Sequence, residues 1–188
     1  MNNGRSGFTI VEMLIVIVII AILAAITIVA FNAVSARADT TSRLSEMKAW
    51  ERLYKAYAAS YGRYPAYPGS PDGDSTGADM GYCLGTGFPD RDGTGTGNCR
   101  DLSGNFYQYN VNSTLNSELR KIGSLPTGIR TSPGADALGP FAKYHTGGNV
   151  IIFNIFKGGT TCPSGTGTGY IYPNDAAITC FIDIPEAN

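Results

Sequence analysis

The longest apolar pattern in the chain covers residues 8–31 and is broken by one carboxylate, Glu12. No polar side chain occurs from Met13 to Ile26. As an α-helix, with a rise of roughly 1.5 Å per residue, residues 8–31 would be about 36 Å long. Because the hydrocarbon core of a bilayer is about 30 Å thick, this pattern predicts a membrane-spanning helix.

A second helical pattern continues from residue 32 to residue 61. Apolar and aromatic side chains recur there every three or four positions, which is typical of one face of an amphipathic helix. No Gly or Pro lies between Phe8 and Tyr61, whereas Gly62 and Pro65 are expected to end the helix. The pattern predicts one helix of roughly 80 Å. Its buried stripe would comprise Leu44, Met47, Trp50, Tyr54, Tyr57 and Tyr61.

The rest of the chain is rich in glycine and predicts short elements. Residues 66–104 and 158–169 have the composition of loops and turns. Apolar or alternating runs predict strands at 105–111, 149–156 and 178–184, and a short helix is expected at 113–122. We therefore expect an α+β fold. The long N-terminal helix, transmembrane in its first half, would pack with its second half on a small antiparallel β-sheet head with disulfide-tied loops.

The cysteines indicate an oxidising compartment. All four lie in the glycine-rich half, at Cys83, Cys99, Cys162 and Cys180, and none has the C-x-x-C spacing of a metal or redox site. Four cysteines allow three pairings. Sequential pairing, 83 with 99 and 162 with 180, is favoured because each bridge would then hold a loop that buries little apolar surface. Each bridge would contribute about 3 kcal/mol in the chain-entropy model.

Composition and charge exclude several classes of function. The chain has 188 residues and a formal net charge of −1. It therefore lacks the excess of basic residues that is typical of nucleic-acid-binding proteins, and we expect no specific nucleic-acid partner. The part after the apolar run is long enough for one globular domain. The single histidine, His145, lies in a Gly-rich setting, and no hydrolase, metalloprotease or phosphate-loop motif occurs. We expect no enzymatic activity.

Two segments of the loop region share the pattern P-D-x-D-x-T-G, at 71–77 and 89–95. Oxygen donors at alternate positions followed by a glycine suit a Ca²⁺ loop. The second segment has donors at loop positions one, three, five and twelve, namely Asp90, Asp92, Thr94 and Asp101. The first offers Asp72, Asp74 and, by a different geometry, Asp79. The same residue types also favour plain turns. The sequence is compatible with either Ca²⁺ binding or plain turns in these two segments. We expect no cofactor other than Ca²⁺.

The carboxylate of Glu12 needs a partner if the helix enters lipid. An ionised carboxylate deep in lipid costs about 2.5–3.5 kcal/mol or more, and no Lys or Arg follows within two helical turns. If the chain is cut after Gly7, Phe8 gains a positively charged α-amine, four residues before Glu12 on the same helix face. The amine of the same chain or of a neighbouring copy would then pair with Glu12. A neighbouring amine would also set the register between copies.

The order Gly7, Phe8-Thr9, Glu12 and a long apolar helix resembles the N-terminus of the type IV pilin family. The resemblance implies cleavage between Gly7 and Phe8 by a prepilin peptidase, N-methylation of Phe8, and a role for Glu12 in assembly. The implied partners are the membrane, the peptidase, an inner-membrane assembly machinery and other copies of the chain in a helical filament. The implied location is the inner membrane for a single-pass precursor and the cell surface for an extracellular filament.

The pattern and the resemblance together divide the chain into four parts. These are a leader (1–7), a transmembrane or filament-core helix (8–31), its amphipathic continuation (32–62) and a globular pilin head (63–188). The run GRYP at 62–65 also resembles the end of the long helix in pilins and in secretion-system pseudopilins. A minor pilin or a type II secretion pseudopilin therefore remains an alternative to a structural pilin.

An interpretation of another class is a secreted or membrane-anchored binding module with an ordinary targeting segment. Residues 36–38 (ARA) have the small-x-small pattern of a signal-peptide cleavage site. The apolar run is longer than the roughly 7–15 residues of a signal-peptide core, however, and it contains Glu12 near its start. A plain single-pass anchor would leave the Gly-Phe-Thr-x-x-Glu order unexplained.

Overall fold

The computed structural model describes residues 9–65, 81–89, 97–99, 109–128, 139–144, 149–157, 161–172 and 177–185. The chain forms two compact units, Met1–Ala38 and Asp39–Asn188, and each is described by itself. The elements in chain order are α1 (Ile10–Tyr61), β1 (Gly81–Cys83), α2 (Ser113–Arg120), β2 (Phe141–Tyr144), β3 (Val150–Lys157), β4 (Gly167–Tyr172) and β5 (Ala177–Ile184). The predicted α+β architecture is confirmed.

Helix α1 ends where the sequence predicts. Its last residue is Tyr61, and the next residue, Gly62, has a φ of +68°. The Gly62 amide still donates to the Ala58 carbonyl at 2.8 Å. A Cβ at Gly62 would touch nothing within 4 Å, so the glycine is needed for its backbone conformation and not for space. A left-handed residue here closes the last helical turn, and glycine adopts that conformation without a steric penalty.

One face of α1 within Asp39–Asn188 is buried against the rest of that unit. The predicted stripe is confirmed from Met47 to Tyr57, is borne out in part at Leu44, which packs against the core, and is wrong at Tyr61. Leu44 is only partly buried, and Tyr61 is 48% exposed because it is the last residue of the helix, with its ring resting on that of Tyr57. Leu53 joins the buried face, which comprises Arg43, Glu46, Met47, Trp50, Leu53, Tyr54 and Tyr57.

Within the described residues, the sheet has five antiparallel strands in the order β1-β2-β3-β5-β4. The strands predicted at 149–156 and 178–184 are β3 and β5, which pair along their whole length from Val150↔Ile184 to Lys157↔Ala177. The turn region predicted at 158–169 is wrong at its end, because β4 begins at Gly167. A Cβ at Gly167 would lie 2.4 Å from the Phe181 ring. The glycine therefore lets the aromatic ring of the neighbouring strand lie across β4.

The elements before β2 follow the sequence prediction in part. Helix α2 is two residues shorter than the predicted 113–122, and the Asn112 side chain caps it by accepting from the Leu115 amide at 2.9 Å. Of the strand predicted at 105–111, residues 105–108 lie outside the described part of the chain. Asn110 and Val111 form isolated bridges with Asn98 and Cys83.

The main core lies between the buried face of α1, the short helix α2 and one face of the sheet. Trp50 and Tyr54 belong to one cluster with Leu119 of α2 and Ile152 and Ile178 of the sheet. The Tyr54 and Tyr144 hydroxyls form a buried hydrogen bond of 3.0 Å. Burial raises the pKa of both phenols above the usual range, so both stay neutral. The second half of α1 is thus the hydrophobic centre of the Asp39–Asn188 unit.

Candidate functional site: the first half of the N-terminal helix

Glu12 is bound to the start of its own helix. The backbone N–H and the side-chain hydroxyl of Thr9 both donate to Glu12 Oε2, at 2.8 and 2.7 Å. In return, the Glu12 backbone N–H donates to Thr9 Oγ1 at 3.3 Å. Thr9 precedes the first helical residue, Ile10, and Glu12 lies three positions after Thr9. This reciprocal arrangement is a capping box, which satisfies N–H groups that a helix start otherwise leaves without partners.

The capping box gives Glu12 hydrogen-bond partners other than the positive charge predicted for it from the sequence. The Thr-x-x-Glu spacing is itself a known signature of a helix start and is the sequence signal for these partners. A carboxylate in the first turn also lies in the favourable field of the helix dipole. Glu12 therefore has two donors within the chain before any second copy is present. Gly7 and Phe8, the predicted cleavage residues, lie outside the described part of the chain.

The first half of α1 exposes its apolar side chains on every side. All the large apolar residues from Ile10 to Val34 are between 47% and 84% exposed. Among the helices in the described residues, only α1 is long enough and apolar enough to cross a membrane. Thr27, a polar residue within this stretch, donates its hydroxyl to the Leu23 carbonyl of the same helix. A helix that is apolar all round, with its polar groups satisfied internally, suits a lipid environment or a core of packed helices.

The disulfides pair as favoured from the sequence. Cys83 bonds to Cys99, and Cys162 bonds to Cys180, with Cα–Cα distances of 5.5 and 5.6 Å. The first bridge joins β1 to a loop and is fully buried. The second joins the loop before β4 to the middle of β5. Both bridges stabilise the unit that carries the sheet, and they leave no free cysteine in the chain.

The residues suggested for Ca²⁺ cannot be placed. All seven of them lie outside the described residues, as does His145; the seven are Asp72, Asp74, Asp79, Asp90, Asp92, Thr94 and Asp101. In the part of the chain that is described, no group of three or more His, Cys, Asp or Glu side chains is arranged to hold a metal ion. Ca²⁺ binding stays a prediction.

Comparison with known proteins bears on the same segment as the capping box. Residues 2–28 match the family model described as the prokaryotic N-terminal methylation motif. No curated protein and no solved structure matches the chain. The matched segment includes the capping box and most of the exposed apolar stretch of α1. Motifs of this kind are characteristic of type IV pilins and pseudopilins. Residues 2–28 therefore carry a class III signal motif of the kind found in type IV pilin-like and pseudopilin precursors.

Proposed function

We propose that this protein is a structural subunit of a type IV pilus or a related filament, and that it is not an enzyme. The observation that carries the proposal is the exposed apolar stretch from Ile10 to Val34, most of which lies within the methylation motif at residues 2–28. Such a stretch is stable only when lipid or other apolar helices surround it. A membrane anchor supplies the first environment, and a filament core made of many copies of α1 supplies the second.

Processing at the N-terminus would switch the subunit between these two environments. The precursor spans the inner membrane through α1 until a prepilin peptidase cuts between Gly7 and Phe8 and methylates the new N-terminus. The new α-amine would be positively charged and would stand four positions before Glu12 in the chain; the Glu12 carboxylate accepts hydrogen bonds from Thr9. In the filament, the amine of one copy would pair with Glu12 of a neighbour. An ion pair between copies fixes their relative register as well as neutralising charge.

The Asp39–Asn188 unit would form the outer surface of this filament. Its sheet and α2 pack on the buried face of α1 within the same unit, and two disulfides stabilise it. Disulfides of this kind persist in oxidising surroundings, which agrees with export from the cytoplasm. The assembled filament would lie at the cell surface, with an inner-membrane machinery adding subunits at its base.

A minor pilin or a type II secretion pseudopilin is the second candidate, because the matched motif is characteristic of both classes. The GRYP run at the end of α1 favours this candidate. In that run the Tyr64 hydroxyl donates to the Pro185 carbonyl at 2.6 Å, which fastens the helix end to the segment after β5. A binding module with a targeting N-terminus would instead need no Thr9–Glu12 arrangement.

Mechanical shearing of producing cells separates the candidates. We expect intact filaments in the sheared fraction, with this chain as their most abundant protein. A minor pilin would appear in the sheared fraction in a much smaller amount than another, more abundant subunit. A periplasmic pseudopilin would remain with the cells. Cells deleted for the prepilin peptidase serve as the control, since they should release no filaments. Absence of the chain from the sheared wild-type fraction would contradict the structural-pilin proposal.

A further inference from the structure

Helix α2 begins at a sequence motif that the proposed function does not use. Asn112, Ser113 and Thr114 form the pattern Asn-x-Ser/Thr in which x is not Pro, and the chain contains this pattern once. Such a triplet is the acceptor for N-linked glycans on exported proteins. Because a three-residue pattern carries little information alone, the structure around it decides whether its asparagine is accessible.

The two ends of the Asn112 amide have different roles in the structure. The oxygen, Oδ1, caps α2 by accepting a hydrogen bond from the Leu115 N–H at 2.9 Å. The nitrogen, Nδ2, forms no hydrogen bond with any described residue. A glycan is attached through this nitrogen, and the amide oxygen remains an acceptor afterwards. The atom that would react is thus the one that the fold does not use, and the cap would persist after modification.

Asn116, one turn further along α2, shows the opposite arrangement. It is fully buried, its Nδ2 donates to the Gly85 carbonyl at 2.9 Å, and its Oδ1 accepts from the Gly85 N–H at 3.3 Å. The residues after Asn116 are Ser117 and Glu118, which do not complete an acceptor triplet. Of these two asparagines, the triplet therefore belongs to the one whose nitrogen is available.

The surface beside Asn112 has room for a bulky group. Asn112 is half-buried, and the residues that follow it on the outer side of α2 are exposed and small, namely Ser113, Thr114 and Ser117. The apolar side chains of the helix, Leu115 and Leu119, are buried in the core. The described residues therefore leave a sugar at Asn112 in contact with solvent, and it would displace no part of the core.

The triplet is also accessible before the unit folds. Helix α2 has eight residues, and an isolated helix of that length is marginal in water. The segment is therefore open until Leu115 and Leu119 pack into the core. Asn112 keeps an extended backbone even in the folded unit, with a φ of −104° and a ψ of 113°. An enzyme at the outer face of the membrane can thus bind the triplet as the chain emerges.

We propose that Asn112 is an N-glycosylation site. A membrane-bound transferase would join Nδ2 to the anomeric carbon of a sugar carried on a lipid diphosphate. The bond from that carbon to the diphosphate oxygen breaks, the lipid diphosphate leaves with the bonding electrons, and Nδ2 gives up one proton to a base of the enzyme. The glycan would add a hydrated cover to the exposed face of α2. The inference goes beyond the proposed function, since it requires export of the Asp39–Asn188 unit but no filament.

The test is mass spectrometry of the full-length protein isolated from the membrane fraction of its own cells. Trypsin cleaves after Lys and Arg, so it should release residues 101–120, a peptide that contains the triplet and no cysteine. We expect this peptide to carry the mass of one glycan, and we expect fragmentation to place that glycan on Asn112. An entirely unmodified peptide, or a glycan placed on a serine or threonine, would overturn the inference.

Three variants separate recognition of the triplet from the capping of α2. Thr114→Ala destroys the triplet and leaves the Asn112 cap in place, so we expect a folded protein without the glycan. Thr114→Ser keeps the hydroxyl and should retain the glycan. Ser113→Ala is the matched control, because any residue except Pro can fill the middle position. A glycan that persists in Thr114→Ala, or that is lost in Ser113→Ala, would contradict the assignment. Filament yield plays no part in this test, so its failure leaves the proposed function standing.

Discussion

Replacing Glu12 with alanine is expected to abolish surface filaments while leaving the protein in the membrane. The apolar stretch from Ile10 to Val34 keeps its length and becomes more apolar in this variant, so insertion should be unaffected. In the filament, the variant would leave the α-amine of each neighbouring copy without its partner. Removing one partner of a buried ion pair costs roughly 3–5 kcal/mol, so we expect a loss of more than about a hundredfold in filament yield. The measurement is filament yield after shearing, with the membrane fraction probed in parallel.

Thr9→Val is the matched control, because it separates helix capping from assembly. It removes the Thr9 hydroxyl, which donates to the Glu12 carboxylate and accepts from the Glu12 backbone N–H. It keeps the carboxylate and the Thr9 backbone N–H that donates to it. Loss of an N-cap costs typically about 1 kcal/mol, so the yield of this variant should fall far less than that of Glu12→Ala. Equal losses in the two variants would mean that Glu12 acts only as a cap. Normal filaments from Glu12→Ala would contradict a role in assembly.

Replacing Trp50 with alanine is expected to destabilise the Asp39–Asn188 unit by about 3–5 kcal/mol. Trp50 is fully buried at the centre of the face that α1 turns to the sheet. The variant would leave a large cavity lined by residues from α1, α2 and the sheet. Chemical denaturation of the full chain in detergent measures the effect. The spectroscopic signal of the folded Asp39–Asn188 unit should be lost at a much lower denaturant concentration in this variant than in wild type.

Two further variants make the Trp50 result interpretable. The indole Nε1 has no hydrogen-bond partner among the described residues. Trp50→Phe therefore removes an unpaired buried donor while keeping most of the ring, and it should cost clearly less than Trp50→Ala. Ser45→Ala alters an exposed side chain of the same helix and should change stability by less than about 0.5 kcal/mol. A Trp50→Ala protein as stable as Ser45→Ala would show that α1 is not the centre of the core.

The parts of the fold that the sequence predicts best are those with long and repeated patterns. Helix α1 extends for more than fifty residues without Gly or Pro, and β3 and β5 are apolar enough to read as central strands. The short edge elements carry less signal. The start of strand β4 falls in a predicted turn region because Gly167 and Gly169 alternate with threonine. Gly167 makes room for the Phe181 ring, and Gly169 lies close to the backbone carbonyl of Thr179; only the three-dimensional register shows these contacts.

At the candidate site, too, some features could be predicted from the order of residues, whereas others are visible only in the three-dimensional structure. The matched motif and the predicted membrane helix follow from the order of residues near Glu12. The hydrogen bonds between Thr9 and Glu12 were predictable from their spacing, but the unusual carboxylate in an apolar run directed attention to a charged partner instead. The extent of the buried stripe was not predictable. The helical period assigns Tyr61 to the stripe, but it does not show that this last residue of the helix is left exposed.

The most direct test of the central claim is the mass and N-terminal sequence of the protein isolated from cells. The account predicts a chain that begins at Phe8 and carries one extra methyl group on its α-amine. In cells without the prepilin peptidase, the same protein should keep its leader and begin upstream of Gly7. A chain that begins at Asp39 would indicate an ordinary signal peptide cut after residues 36–38, and it would contradict the account, because the apolar helix needed for polymerisation would be gone.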